Sequence, residues 1–445
     1  MMTSRIILSF FVFFVACSFV QAQNKTIVLQ GATVIDSWNN VPLTDESIVI
    51  VNNTIMQVGK KFEVRIPTNA IIVNLEGKFI MPGIIDVDAR YTQPEDLTTM
   101  FSFGITTANI LTTDPEAIQK LKQESEKDST LLPELYVTVP ISLNKRGWKL
   151  SGVMGGDSLF SAVPASPAAA REQIKKIAAR GINRICLIDD AMQWCNDSLP
   201  PEQAVDTSIV LAMIDEARKQ NIFVALQAPA IRNGRIAIFA GASALNGGIL
   251  DDRLVSDAVS QMSYIPTYYV STLTRYESYA DPKGVLQRII TDSLFRNLLP
   301  QAVRNRYSSA EYSSILQGKC SNSAYVKAHL SVSYDNTLAI VTNYQPIPLG
   351  TNLPELPGVA DHLEMEYLVK AGLTPMQTIV TSTGISAEYL GIRSKLGFIF
   401  AKCQADLLVL DKNPIDDIRN TRSITMIMKN GIMYDAKTLR KVELK

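Results

Sequence analysis

Histidine is nearly absent. The chain of 445 residues has two, His329 and His362, and neither falls in a ligand motif. That excludes a metal centre built on several imidazoles. No sign of charge is in excess either, because Lys+Arg and Asp+Glu number 43 each. The basic residues are scattered rather than striped, so no global field recruits nucleic acid or an anionic membrane. Cysteine is sparse at five, with no CxxC zinc or redox spacing and nothing of disulfide-scaffold density. Beyond the N-terminus no run is long and apolar enough to span a bilayer. A Gly-rich phosphate loop, a serine-nucleophile elbow and an HExxH helix are missing, as are repeats and low-complexity tracts.

What is present begins with a targeting pattern. Arg5 supplies a positive start, Ile6 to Val20 is apolar apart from Ser9 and Ser18, and Val20-Gln21-Ala22 suits signal peptidase. We expect residues 1–22 to be cleaved and the protein exported, to a periplasm or the outside, with no membrane contact afterwards. Val15-Ala16-Cys17 resembles a lipobox, but Phe14 fits it poorly. After cleavage Cys186, Cys195, Cys320 and Cys403 remain, and they are read as buried free thiols. At 47% hydrophobic and 19% charged residues, the mature chain has ordinary globular composition and length enough for a barrel-sized domain plus a smaller one.

From residue 26 to 80 the pattern is one of short strands. Thr26–Leu29, Thr33–Ile35, Ser47–Val51, Thr54–Val58 and Ala70–Asn74 are β-branched runs, and Asn52-Asn53 is a turn pair that tolerates positive φ. Strand and helix then alternate. Phe79-Ile80 through Val87 is near-continuously apolar, as a strand buried on both faces requires. Gly104–Ala108, Leu135–Val139, Arg184–Ile188 and Ile222–Leu226 follow as strands. Ser166 caps a helix that opens at Pro167 and ends at Gly181, and Ile209 to Gln220 is another helix. Such alternation over about 300 residues predicts a closed β/α barrel. Strands return at Ala405–Asp411 and Ile424–Met428, with a tight turn at Lys429-Asn430-Gly431. The predicted fold is α/β: a TIM-like (β/α)8 barrel over 80–399 and a small β-sandwich built from both chain ends, 24–79 and 400–445.

Met81-Pro82-Gly83-Ile84-Ile85-Asp86-Val87-Asp88-Ala89-Arg90 carries the functional signal. Gly104-Ile105-Thr106-Thr107, Ile265-Pro266-Thr267, Leu368 to Pro375, Leu390-Gly391-Ile392 and Ala405-Asp406-Leu407 accompany it in order. Together they resemble the imidazolonepropionase-like and prolidase-like branch of the metal-dependent amidohydrolases, over residues 26 to 440. In that family the first stretch runs Met-Pro-Gly-Leu-Ile-Asp-x-His-x-His, and the two histidines hold a catalytic metal. Asp88 and Arg90 stand in their places. By the same resemblance Cys186 takes the place of a fourth-strand Lys or Glu, and Gln227 that of the fifth-strand His. Gly247, in Asn246-Gly247-Gly248, takes that of the sixth-strand His. Asn352, in Gly350-Thr351-Asn352, takes that of the Asp that receives the proton of the attacking water.

A catalytic zinc needs about three or four N, O or S ligands at roughly 2.0–2.3 Å. Asp88 offers one oxygen and Cys186 one sulfur; Gln227 and Asn352 offer neutral amides and Gly247 nothing. Arg90, always charged, repels a dication. Side chains alternate along a strand, so residues 88 and 90 share the inward face. Arg90 therefore either replaces the metal's charge and pairs with Asp88 or Asp86, or snorkels to the barrel mouth. His329 reads as a surface or packing residue, and His362 as a polar residue at a helix start near the mouth.

The expectation is a degenerate-site pocket of Asp86, Asp88, Arg90, Cys186, Gln227, Gly247 and Asn352, with no metal, no cofactor and no assigned catalytic residue. The family's hydrolysis of C–N bonds in cyclic amides or dipeptides is what the resemblance implies by descent. The leading reading is a degenerate relative acting as a binding or partner subunit, on an active amidohydrolase relative or on itself, a step that rests on fold analogy. Two others stand beside it: a metal-independent hydrolase using Asp86, Asp88 and Arg90, and a binder of a small anionic ligand gripped by Arg90.

Overall fold

The computed structural model describes residues 25–128, 131–143, 158–189, 195, 206–227 and 229–444. The targeting pattern and Cys17 lie outside them.

Five strands open the chain: β1 (Thr26–Val34), β2 (Leu43–Val51), β3 (Thr54–Lys60), β4 (Ile71–Asn74) and β5 (Phe79–Pro82). Asn52 adopts φ 56° in the β2–β3 turn, as the Asn pair predicts. The parallel strands follow: β6 (Ile84–Ala89), β7 (Ile105–Leu111), β8 (Glu134–Ser142), β9 (Arg184–Ile188), β10 (Phe223–Gln227), β11 (Ala244–Asn246) and β12 (Tyr268–Val270). They pair in chain order, β6 to β12, as a seven-stranded sheet. Between them run the helices, among them Pro167–Ala179, where the Ser166 hydroxyl accepts from Ala169 N at 3.3 Å.

The ring is completed by residues 346–352, which are not a regular strand. Tyr269 N donates to Pro346 O at 3.1 Å on one side, and Val87 N to Leu349 O at 2.8 Å on the other. The reason is local: Pro346 and Pro348 have no N–H to give a ladder. Asn352 then turns the chain out of the ring at φ 48°, its N–H donating to Asp88 O at 2.9 Å. Gly350 is obligatory here, since a Cβ would lie 2.6 Å from Val270 Cγ1 and 2.9 Å from Asp88 Cβ.

The last strands are β13 (Leu407–Leu410), β14 (Ile424–Lys429) and β15 (Ile432–Asp435). With β1 to β5 they form one eight-stranded sheet, ordered β15-β14-β13-β5-β1-β2-β3 with β4 beside β1. Both chain ends thus build one layer, and Ile27, Leu29, Ile48, Ile80, Leu407 and Met428 share its core. Asn430 and Gly431 take φ 51° and 72° in the β14–β15 turn, the geometry that two-residue hairpins favour.

Two sequence readings change. The apolar run from Phe79 to Val87 is not one strand. It divides at Gly83, β5 joining the terminal sheet and β6 the barrel. Gly83 permits this because a Cβ there would meet Thr106 Oγ1 at 2.0 Å. The four remaining cysteines are not all free thiols: Cys195 and Cys320 form a disulfide with Cα atoms 4.8 Å apart, while Cys186 and Cys403 are free and buried. They stand 125 positions apart in the sequence, so their meeting depends on tertiary packing, which local spacing does not reveal.

Candidate functional site

The C-terminal ends of parallel barrel strands form the mouth where such folds place their chemistry. β6 delivers Asp86 and Asp88, both buried, and Arg90 follows just past its end. Asn352 Nδ2 donates to Asp88 Oδ2 at 3.0 Å and to Gln227 Oε1 at 3.2 Å. Arg90 Nη2 donates to the same Gln227 oxygen at 3.3 Å. Asp88, Arg90, Gln227 and Asn352 therefore form one linked cluster across β6, β10 and the ring-closing segment. Cys186, on β9, lies close enough for Asp88 and Arg90 to act on its thiol. At Gly247, just past β11, a Cβ would lie 3.4 Å from Gln227 Cγ. The guanidinium thus reaches inward to Gln227 instead of snorkelling to water.

Asp86 turns elsewhere. Its Oδ1 accepts from Asp88 N and its Oδ2 from Thr351 Oγ1, both at 2.9 Å. Its carboxyl also meets that of Asp361. Burial pushes Asp86 up to about 7, against the pull of the Asp88 N–H and Thr351 bonds. Burial and the neighbouring Asp86 hold Asp361 well above the usual carboxylate range. Two carboxyls in one dry space cannot both ionise, so they hold a proton between them. Asp88 is also raised by burial, but Arg90, Asn352 and Arg275 draw it back.

The sequence reading missed Arg275. It sits in helix Leu273–Ala280, directly after β12, and is 3% exposed. Thr272 makes no side-chain cap there. Glu364, from helix Val359–Lys370, accepts from Leu273 N at 3.0 Å, Thr274 N at 2.7 Å and Ser271 Oγ at 2.6 Å instead. That capping carboxylate fixes the first turn and brings Arg275 into the field of Asp88 and Arg90. The available signal was an arginine a few residues past a barrel strand, where loops feed the mouth. Next to it, Tyr276 Oη donates to the carbonyls of Gly247 and Gly248 (2.8 Å for the latter). Main-chain carbonyls and a phenol therefore occupy the mouth just past β11.

His362 is corrected. It lies in helix Val359–Lys370 but not at the mouth. Its Nε2 bonds Phe103 O at 2.9 Å and its Nδ1 bonds Thr421 Oγ1 at 3.0 Å, so it clasps three segments beneath the barrel wall. Burial and Arg422 depress it to about 3, keeping it neutral. His329 is a half-buried helix residue stacked on Tyr325.

The described residues of this mouth do not fit a divalent metal. Burial pushes the Cys186 thiol up, which works against the thiolate form that a metal ligand takes. Asp88 is engaged by Asn352, the two amides are neutral, and a guanidinium reaches Gln227 where an imidazole would be needed. Among the described residues no group of three or more His, Cys, Asp or Glu could hold a metal ion.

Fold and mouth together define a class: a hydrolase-type β/α barrel with a terminal sheet, its mouth furnished with amides and guanidiniums in place of imidazoles. The sequence profile of the amidohydrolase family matches residues 66–433, and the chain belongs to that family. Similar solved structures include a Xaa-Pro dipeptidase with methionine bound in its active site: TM-score 0.72, 18% identity, 92% of this chain and 100% of that one covered. Molinate hydrolase gives 0.69, 15% identity and 95% of each chain. An ochratoxinase from A. niger gives 0.69, 16% identity, with 93% and 96% covered. A comparison with curated proteins finds no match.

Proposed function

We propose that this amidohydrolase-fold chain is a binding protein rather than a hydrolase, and that its barrel mouth takes a small anionic ligand. One observation carries the reading. Gln227 Nε2 is buried with no hydrogen-bond partner among the described residues, while its Oε1 accepts from Arg90 and Asn352. A buried donor without an acceptor is costly. The donor lies beside the Arg90 guanidinium and in the same cluster as Arg275, so an anionic oxygen is the complement it lacks. The metal-independent hydrolase is less well supported, because Asp86 is tied to Thr351, Asp88 and Asp361, and Asp88 to Asn352. Neither carboxyl is disposed to take a proton from water.

Elemental analysis of protein incubated with zinc, beside assays on dipeptides, N-acyl amino acids and cyclic imides, tests the proposal. The expected result is substoichiometric zinc and no turnover. Zinc at one equivalent together with hydrolysis would overturn it.

A further inference from the structure

At the opposite end of the barrel from the mouth lies a hollow of about 650 Å3. That volume is within the range of about 300–1,000 Å3 typical of small-molecule sites. Phe398 and Phe400 form one wall, stacked with centroids 5.3 Å apart and planes 16° from parallel. Tyr268, the first residue of β12, forms another. Between them Arg393 Nη1 is held 2.6 Å from Glu388. Trp38 stands at the rim, edge-on to Phe400 and under the Arg393 guanidinium.

Behind Tyr268 is a second guanidinium with an unusual setting. Arg184, the first residue of β9, is 9% exposed. Its Cζ lies 3.9 Å from the Phe223 ring and 4.9 Å from the Tyr389 ring. The ionisable groups acting on it are the Tyr389 and Tyr268 phenols, not a carboxylate. Its Nε and Nη2 are buried and have no hydrogen-bond partner among the described residues. A buried cation normally has an anion beside it. The faces of Phe223 and Tyr389 stabilise this one through cation–π contact, and the Tyr389 hydroxyl bonds it, but Nε and Nη2 are left without an acceptor among the described residues. Tyr268 joins the two features, since its hydroxyl feels Arg184, Arg393 and Glu388 together. Arg393 and Glu388 line the hollow as an ion pair, so the net positive charge beside it comes from Arg184, buried behind Tyr268.

We propose that this hollow is a second ligand site that takes a small planar aryl monocarboxylate. Its ring packs between Tyr268 and the Phe398–Phe400 pair, and its carboxylate lies at the Tyr268 hydroxyl, flanked by Arg184 and Arg393. The anion supplies the charge that Arg184 lacks, and the ring covers apolar wall that the fold leaves open. The site is independent of the mouth and of the function proposed for it.

Isothermal titration of the whole mature chain with phenylacetate tests this, with phenylacetamide as the neutral isostere. Phenylacetate is expected to bind one to one. Phenylacetamide, Arg393→Ala and Arg184→Met are each expected to weaken binding by about tenfold or more, the loss of one charge-assisted contact. Arg90→Met, at the mouth, leaves the affinity unchanged. If Arg184→Met does not fold, Arg393→Ala decides alone, because its side chain is 49% exposed and its removal spares the core. Absence of binding at about 10 mM phenylacetate, a Kd too weak for a specific site, overturns the proposal. So does equal affinity for the amide, or binding lost in Arg90→Met but kept in Arg393→Ala.

Discussion

Arg90 shows how one side chain changes what a barrel mouth can be. Its guanidinium donates to Gln227 and draws the buried Asp88 carboxyl downward, while Arg275 helps from the other side. Removing one partner of a buried charge pair is more damaging than the pair is stabilising, by about 3 kcal/mol or more. Arg90→Met should therefore lower stability by about 3 kcal/mol at pH 8, as read from urea midpoints. The loss should shrink at pH 5. Without Arg90 the folded-state value of Asp88 rises further above that of the unfolded chain, so protonation at lower pH relieves the unpaired charge. A variant equally destabilised at both values would show that Asp88 does not rely on this cation. The motif around Asp86 made Asp88 and Arg90 legible in the sequence. Arg275 was not, because its role comes from Glu364 capping the helix that carries it, 89 positions further along the chain.

Elements are joined here at positions where side-chain volume is intolerable. Gly83 separates β5 from β6, and with it the terminal sheet from the barrel. Gly83→Ala puts a methyl into Thr106 and should cost about 1–3 kcal/mol, the range for overpacking. Because the obstacle is one side chain, Gly83→Ala with Thr106→Gly should recover much of that loss, read as a coupling energy in a double-mutant cycle. Additive losses would mean that the backbone at Gly83, not its contact with Thr106, is what matters. Most elements were legible from periodicity and turn chemistry, as at the Ser166 cap and the Asn430-Gly431 turn. The break at Gly83 was not, since an unbroken apolar run is what a buried strand and two abutting strands both look like. The prolines at 346 and 348 likewise hide the eighth place in the ring, which is held by hydrogen bonds on both sides without a strand pattern.

Across the whole molecule the buried titratable groups set opposing limits on pH. His362 is depressed to about 3 from 6.5, so its contribution is present above 6.5 and is lost as pH falls toward 3. Asp86 is raised from 3.8 to about 7, so its contribution is full below 3.8 and is lost as pH rises through 7. Asp361 and Glu364, also raised by burial, push in the same direction as Asp86. The groups facing Asp86 are Asp88, Thr351 and Asp361, and none supplies a direct cation. Between pH 3.8 and 6.5 the two windows overlap, His362 raising stability with pH while the raised carboxyls lower it, each titrating group contributing up to about 1.4 kcal/mol per pH unit where its protonation differs between states. His362→Gln should therefore make stability fall more steeply as pH rises toward 6.5 and leave the slope above that as it is. Asp86→Asn should make that fall shallower below about pH 7. The comparison uses slopes of unfolding free energy against pH from 4 to 9, so a uniform loss from either substitution does not disturb it. An unchanged slope below about pH 7 in Asp86→Asn would mean that the proton shared beneath the barrel mouth is held by groups other than the Asp86–Asp361 pair.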